Sequence, residues 1–385
     1  MNKTKVVILH NSVGGGIRAT AENIAEQLEL SGKYEVRNFD VEKVESGATV
    51  STIRNSYLAV LDHLSSLWGF LYDSKIALAV ILPLRKVFAS FNSAEVLKIL
   101  QEFQPAIVIS TSGSASAIMA YLKSQGLYRG KFVSVFSDYH IHQFWLHDEA
   151  DMFICNIPEQ VPVLKQLGYP AEKIRLTGTL IADKFRTPIS RETALDELGL
   201  LKSMPVVLVG GAGRARGSTK EIFLQLLRSP KSFQVVVICG NNAQLKEDLL
   251  KITAPSRHPV KILGFVSNME VLMSAAQVLV YKTGGPSMAE AVVKKLPIVF
   301  VDVRPGHELI NLNYLVSHGI GQHARIPREA VFFVEQTLDG KLKTDFARQE
   351  RAIVSPQGAV LITEAINSVN PESAAPKVKN YQNPE

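Results

Sequence analysis

QVLVYKTGGPSMAEAVVKKLPIVFVD, residues 277–302, sets the fold class. One apolar run (277–282) ends in a Thr-Gly-Gly-Pro turn, a helical pattern follows, and a second apolar run (296–302) closes the segment. Continuous Val, Ile and Leu without polar alternation marks strands covered on both faces, and a helix between two such strands makes them parallel. The same rhythm recurs at 5–10, 105–111, 131–137, 151–156, 205–211, 233–240 and 260–265, and YEVRNFD (34–40) reads as a second strand after the first. These runs suffice for two doubly wound α/β sheets, and 385 residues exceed what one core usually supports.

With 46% hydrophobic and 20% charged residues the chain reads as well packed, with disorder confined to the tail at 370–385. Its two cysteines, Cys155 and Cys239, fall inside apolar runs far apart in sequence, the pattern of buried thiols in a reducing compartment. The opening run at 5–10 is too short for a signal-peptide core and leads into a glycine loop, so a first strand of a cytoplasmic protein is expected there. The net charge of +6 suits an anionic partner. No basic block interleaved with aromatics marks a nucleic-acid module, and no nucleic-acid partner is expected.

Two stretches depart from the strand-helix rhythm. The segment from Tyr57 to Phe91 is rich in Leu, Ile, Phe and Tyr but is interrupted by Asp62, His63, Asp73 and Lys75. No run in it approaches the roughly 20 apolar residues that span a bilayer. It reads either as a helix pair on a membrane surface, ending at Arg85 and Lys86, or as a buried helical insertion. The second stretch, 179–205, contains Pro188 and Gly199 and precedes a new glycine loop, so the boundary between domains is expected near residue 200.

Three glycine loops stand at strand-to-helix junctions. They hold Gly14, Gly15 and Gly16; Gly210, Gly211 and Gly213; and Gly284 and Gly285. A helix N-terminus offers unpaired N–H groups to an anion, and glycine lets a phosphate approach the backbone. Gly14, Gly16 and Ala19, with Asp40 further on, match the dinucleotide-binding pattern letter for letter. The later loops are accompanied by Arg214, Arg216 and Lys282, so a diphosphate-linked ligand is expected on the second half of the chain. None matches the phosphate loop of ATPases.

In the helical pattern after Gly285, Ser287 is placed to satisfy N-terminal donors and Glu290 falls about one turn in. A carboxylate there suits the two hydroxyls of a ribose, or simply the positive end of a helix. His307, Glu308 and Asn311 follow the next strand on a single turn, as groups for sugar hydroxyls or as a solvated helix start.

At these residues the sequence resembles glycosyltransferase family 28, in its monogalactosyldiacylglycerol synthase and processive diacylglycerol glucosyltransferase group. The run 260–311 is similar to the family's nucleotide-sugar region in order and spacing. VVICGNNAQL (236–245), GGGIRATAENIAEQL (14–28) and SDYHIHQFWLHDEAD (137–151) resemble three further family segments, so the likeness extends from residue 4 to about 368.

The resemblance implies a GT-B fold, two Rossmann-like doubly wound domains facing a cleft. The implied division is an acceptor and membrane-facing domain at 1–185 with the 57–91 insertion, a linker at 186–203, a nucleotide-sugar domain at 204–355 and a helix at 356–369 returning to the first domain. It implies a UDP-sugar donor, a lipid acceptor such as diacylglycerol, and an anionic membrane surface met by 57–91 on the cytosolic face. By motif position Gly264, Phe265 and Val266 would hold the uracil through backbone groups. Gly211, Gly213, Gly284 and Gly285, with Arg214 and Lys282, would approach the diphosphate. Glu290 would take the ribose, with His307, Glu308 and Asn311 facing the sugar, while Gly15 and Gly16 would shape the acceptor side.

One position breaks the likeness. The family usually carries a histidine directly after the first glycine loop, where it helps deprotonate the acceptor; this chain has Ile17. Isoleucine moves no proton. The substitute base expected from the sequence is Asp138, after the run at 131–137, with His142 as helper or second candidate. The spacing of His140, His142 and His147 does not suit zinc, and neither a metal nor an organic cofactor is expected. An inverting hexosyltransferase is the first reading. The alternatives are a nucleotide-sugar-binding pseudoenzyme, prompted by Ile17, and a GT-B sugar-nucleotide epimerase, which leaves 57–91 without a role.

Overall fold

A computed structural model describes residues 3–11, 15–41, 89–90, 93–211, 218–252 and 258–369. The segment from Tyr57 to Phe91, apart from residues 89–90, and the tail 370–385 lie outside the described residues. The chain forms two compact units: Met1–Leu180 with Pro305–His307 and Val354–Glu385, and Ile181–Arg304 with Glu308–Ile353.

The first unit is built on a six-stranded parallel sheet of β1 (Thr4–His10), β2 (Tyr34–Asp40), β3 (Ile107–Ser110), β4 (Lys131–Val135), β5 (Met152–Cys155) and β6 (Ile174–Leu176). The strands lie in the order β2-β1-β3-β4-β5-β6. Successive residues of a strand point to opposite faces, and both faces here are covered. Val7, Leu9, Val108, Phe132 and Phe153 pack on one side. Val6, Ile8, Ile109, Val133 and Ile154 pack on the other. Each such side chain contributes roughly 1.5–3 kcal/mol on burial, which explains why polar alternation is missing from the sequence.

The helix Gly15–Leu30 lies on the second face through Ala21, Ile24, Ala25 and Leu28. Its pattern predicts that Asn23 and Gln27 face water, but both are buried. The cause is the last described helix, Gly358–Val369, whose Ile362, Ala365 and Ile366 join the same cluster and cover that flank. Asn23 Nδ2 donates to the Leu180 carbonyl at 2.9 Å.

The second unit repeats the plan with β7 (Val206–Gly210), β8 (Gln234–Ile238), β9 (Val260–Leu263), β10 (Val278–Tyr281), β11 (Ile298–Phe300) and β12 (Gln322–His323). Their order is β12-β11-β10-β7-β8-β9, all parallel. The chain runs outward from β7 on one side and returns to start again at β10 on the other. The carboxyl ends of β7 and β10 therefore flank the switch point, where open α/β sheets bind ligands.

The segment read from sequence as a linker belongs to this unit. Its helix Arg191–Leu198 is capped by Ser190, whose Oγ accepts the Thr193 N–H at 3.0 Å, and is closed by Gly199 in the left-handed region. Ala194, Leu195 and Leu198 are buried, and the helix packs against Met269–Ala275. An amphipathic helix with a solvated face explains why composition alone suggested a connection. Both cysteines are free and buried. No helix among the described residues is long and apolar enough to cross a membrane.

Candidate functional site

Gly210 ends β7, and a Cβ at that position would lie 3.1 Å from the Tyr281 ring at the end of β10. Glycine thus lets the two strand ends at the switch point approach. Gly211 is described; Gly213 and Arg214 lie outside the described residues. From β10 the chain passes through Lys282, buried Thr283, Gly284 and Gly285 into the helix Pro286–Val293. Its cap residue is Gly285, with Pro286 at the first helical position and no side-chain cap bond, so Ser287 does not take the capping role expected of it.

Glu290 sits one turn into this helix and is 9% exposed. Burial pushes its carboxyl up to about 7, opposed by the Lys184 ammonium and reinforced by the Glu270 carboxylate. Lys184 pairs with Glu270 at 2.9 Å and donates to the Ser267 carbonyl at 2.7 Å. Burial, with the Glu290 charge adding to it, also raises the Tyr281 phenol to about 12. Sequence reasoning missed Lys184 and Glu270, because Lys184 stands in the stretch 179–205 that departs from the strand-helix rhythm and Glu270 in an unremarkable helix start.

Glu308 ties three pieces of backbone together. One carboxylate oxygen pairs with Lys282 at 3.3 Å and the other accepts the Arg304 N–H at 3.0 Å. Its own carbonyl accepts from Thr283 Oγ1 at 3.2 Å. Glu308 and Asn311 are buried on the helix His307–Ser317, whereas His307 is exposed. Of the three groups expected to face a sugar, His307 alone presents an open side chain. Asp302, at the end of β11, also carries a role that no motif announced. Both of its oxygens accept the Ser218 N–H, at 3.0 and 3.1 Å, at the start of the helix Thr219–Leu226.

At the far edge of the sheet, β8 and β9 leave through Gly240 and Gly264. A Cβ on Gly264 would lie 3.7 Å from the Gly240 carbonyl and 4.0 Å from Lys246 Nζ. Phe265 is 72% exposed, and Val266 is half-buried. The arrangement offers open backbone and a flat apolar ring beside each other.

In the first unit the segment resembling the family's Asp-aromatic-His motif follows β4. Asp138 is half-buried. His142 is buried and caps the short turn Gln143–Trp145, its Nδ1 accepting the Phe144 N–H at 3.3 Å. Its ring lies 4.4 Å from that of Phe144. The His142 ring is thus engaged in building the turn. His147 lies within 3.2 Å of the Phe144 carbonyl through Nε2, and no group of three or more metal-ligating side chains converges among the described residues. Gly15 and Gly16 open the first helix, and the Ile17 carbonyl accepts from Thr111 Oγ1 at 3.3 Å.

Two family models match. Residues 18–181 match the monogalactosyldiacylglycerol (MGDG) synthase model, and residues 206–342 match the glycosyltransferase family 28 C-terminal domain. Monogalactosyldiacylglycerol synthase 2 of Arabidopsis thaliana is 30% identical over 384 residues, covering 95% of this chain and 81% of that protein. The processive diacylglycerol beta-glucosyltransferase of Bacillus cereus is 28% identical over 302 residues, 78% of this chain and 75% of that one.

Among solved structures, MurG of Acinetobacter baumannii is similar with a TM-score of 0.61 at 15% identity, over 95% of this chain and all of that one (100%). The UDP-GlcNAc 2-epimerase of Neisseria meningitidis is similar with a TM-score of 0.57 at 12% identity, over 95% and 100%. These likenesses concern the fold, which is GT-B. With two family models matching in series and 30% identity to a relative of which it covers 81%, the chain belongs to the monogalactosyldiacylglycerol synthase family of glycosyltransferases.

Proposed function

We propose that this protein transfers a hexose from a UDP-sugar to the free hydroxyl of a diacylglycerol-type membrane lipid, inverting the anomeric carbon. The observation that carries the donor assignment is Glu290, a buried carboxylate one turn into the helix that follows Gly284 and Gly285 at the switch point of the second sheet. A carboxylate there accepts both ribose hydroxyls, while the glycine-lined helix start and Lys282 suit the diphosphate. Gly211, with Gly213 and Arg214, is assigned to the same diphosphate. Gly264, Phe265 and Val266 suit the flat base, with His307 toward the hexose and Glu308 and Asn311 shaping the wall behind it.

The names of the relatives support a lipid acceptor. In the proposed step the acceptor oxygen bonds to the anomeric carbon as the bond from that carbon to the β-phosphate oxygen breaks. The electron pair leaves with UDP, and the acceptor proton passes to Asp138. Attack opposite the leaving group inverts the configuration. Fixed N–H dipoles and cations beside the departing diphosphate lower the barrier by meeting charge as it develops. Membrane contact on the cytosolic face is assigned to the segment from Tyr57 to Phe91, on the likeness to the family, whose corresponding region meets the membrane.

The test is transfer of labelled hexose from UDP-glucose or UDP-galactose into anionic vesicles containing diacylglycerol, with the product identified by mass spectrometry. A labelled glycolipid is expected. Normal UDP binding without transfer from either donor overturns the reading.

A further inference from the structure

Three neighbouring strands of the first unit each leave the sheet with a buried polar side chain that no protein group satisfies. Ser137 follows β4, Asn156 follows β5 and Thr179 follows β6. Ser137 Oγ, both amide atoms of Asn156 and Thr179 Oγ1 are buried without a hydrogen-bond partner. Their residues are only 5%, 4% and 4% exposed. All three line one small pocket, which also contains Thr20 and Thr177. Buried polar groups are almost always paired, so three orphans from adjacent strand ends facing one space mark a place shaped for something polar.

The walls are firmly held. Gln160, itself buried, joins the exits of β4 and β5. Its Oε1 accepts the Asn156 N–H at 2.9 Å, and its Nε2 donates to the Asp138 carbonyl at 2.9 Å. At the exit of β6, Gly178 adopts φ +76°, and a Cβ there would come within 2.5 Å of the Ser355 nitrogen. That close approach fixes the turn carrying Thr177 and Thr179.

The lining contains no charged side chain. Two hydroxyls and a primary amide, with donors and acceptors both free, match a neutral hydroxyl and not a phosphate or carboxylate. Ser137 also directly precedes Asp138, the proposed base. We propose that this pocket is a hydroxyl-binding subsite for the alcohol of the acceptor lipid, with Ser137, Asn156 and Thr179 as its specificity-determining residues. This rests on the lipid-acceptor reading above.

The test compares binding of two probes in detergent, 1,2-dioctanoylglycerol and its 3-deoxy counterpart, which lacks only the free hydroxyl. The wild-type protein is expected to prefer the hydroxyl-bearing probe by about tenfold or more, because the analogue leaves the pocket's groups unpaired. Asn156→Leu should bring the preference to about twofold or less with the UDP Kd unchanged; Ser137→Ala and Thr179→Val, smaller changes, should each reduce it. A wild type without preference, or a preference that survives all three substitutions, overturns the proposal. So does a pocket that holds only trapped water, which shows as a raised Tm in Asn156→Leu with the preference intact. Failure of sugar transfer to dioctanoylglycerol in the wild type would sink the proposed reaction, while the binding comparison still decides the pocket.

Discussion

The Asp302 carboxylate holds the Ser218 N–H with both oxygens, at 3.0 and 3.1 Å, and does so from a backbone at φ 53°. Asp tolerates this left-handed conformation better than most residues, yet it still costs energy at a non-glycine position. The contact fixes the first described residue after the second glycine loop to the end of β11. Asp302→Ala loses the acceptor and keeps the unfavourable φ, so a loss of about 1–3 kcal/mol in urea unfolding is expected. Asp302→Gly loses the acceptor alone and should be the milder of the two. Both should weaken UDP binding by titration calorimetry if the tether positions Gly211.

Glu290 gives the second unit a pH-dependent stability. Its carboxyl rises from an ordinary 4.5 to about 7 on folding. The stabilisation is therefore fully present below about pH 4.5 and is lost as pH rises through about 7, a change of about 3 kcal/mol relative to Glu290→Gln. Unfolding measured at pH 4.5, 6, 7 and 8.5 for both proteins checks the sign. Ribose hydroxyls favour the ionised form, so UDP affinity in the wild type should rise with pH through the same interval, and in Glu290→Gln it should not.

Lys282→Met removes the cation from Glu308, a carboxylate whose side chain is only 9% exposed. The Arg304 N–H remains, and Lys282 is itself a third exposed, so a stability loss of about 1–2 kcal/mol is expected. The informative comparison is Glu308→Gln, which keeps the shape of the side chain. It should cost less in Tm than Lys282→Met, and Lys282→Met alone should raise the Kd for UDP above that for uridine.

Asp138→Asn should lower kcat by about a hundredfold or more while leaving UDP affinity unchanged. Ile17 stands in the first turn of its helix, held beside the exit of β3 through Thr111. Placing histidine there, the residue usual in the family, should recover at least about tenfold of the loss in an Asp138→Asn background. Steady-state kinetics of the single and double variants check this. No recovery would mean that the base must act from the β4 exit.

Nine of the twelve described strands were legible as apolar runs because both sheet faces are buried there, and a tenth, the edge strand Tyr34–Asp40, as a polar-interrupted strand at the sheet's exposed margin. The two that were not, Ile174–Leu176 and Gln322–His323, are three and two residues long and leave little periodicity to read. Glu290, the glycine turns and the Asp138 segment were visible as motifs. Lys184, Glu270, Asp302 and Gln160 were not, since each acts on a residue brought near only by folding. The burial of Asn23 and Gln27 was hidden for the same reason: the helix that covers them lies more than 300 residues later. His142 illustrates the converse, a motif letter whose ring is engaged in capping its own turn.

The return of Gly358–Val369 to the first helix also imposes an order on synthesis. Met1–Leu180 has every strand of its sheet long before the ribosome reaches Ile362, but it lacks the apolar cover over Ala21, Ile24 and Leu28 until then. During that interval the nascent chain adds all of Ile181–Ile353, whose strands and principal core lie within that stretch. The half of the protein made second can therefore finish folding first, and a nascent chain stalled before residue 358 would present an uncovered apolar flank to chaperones.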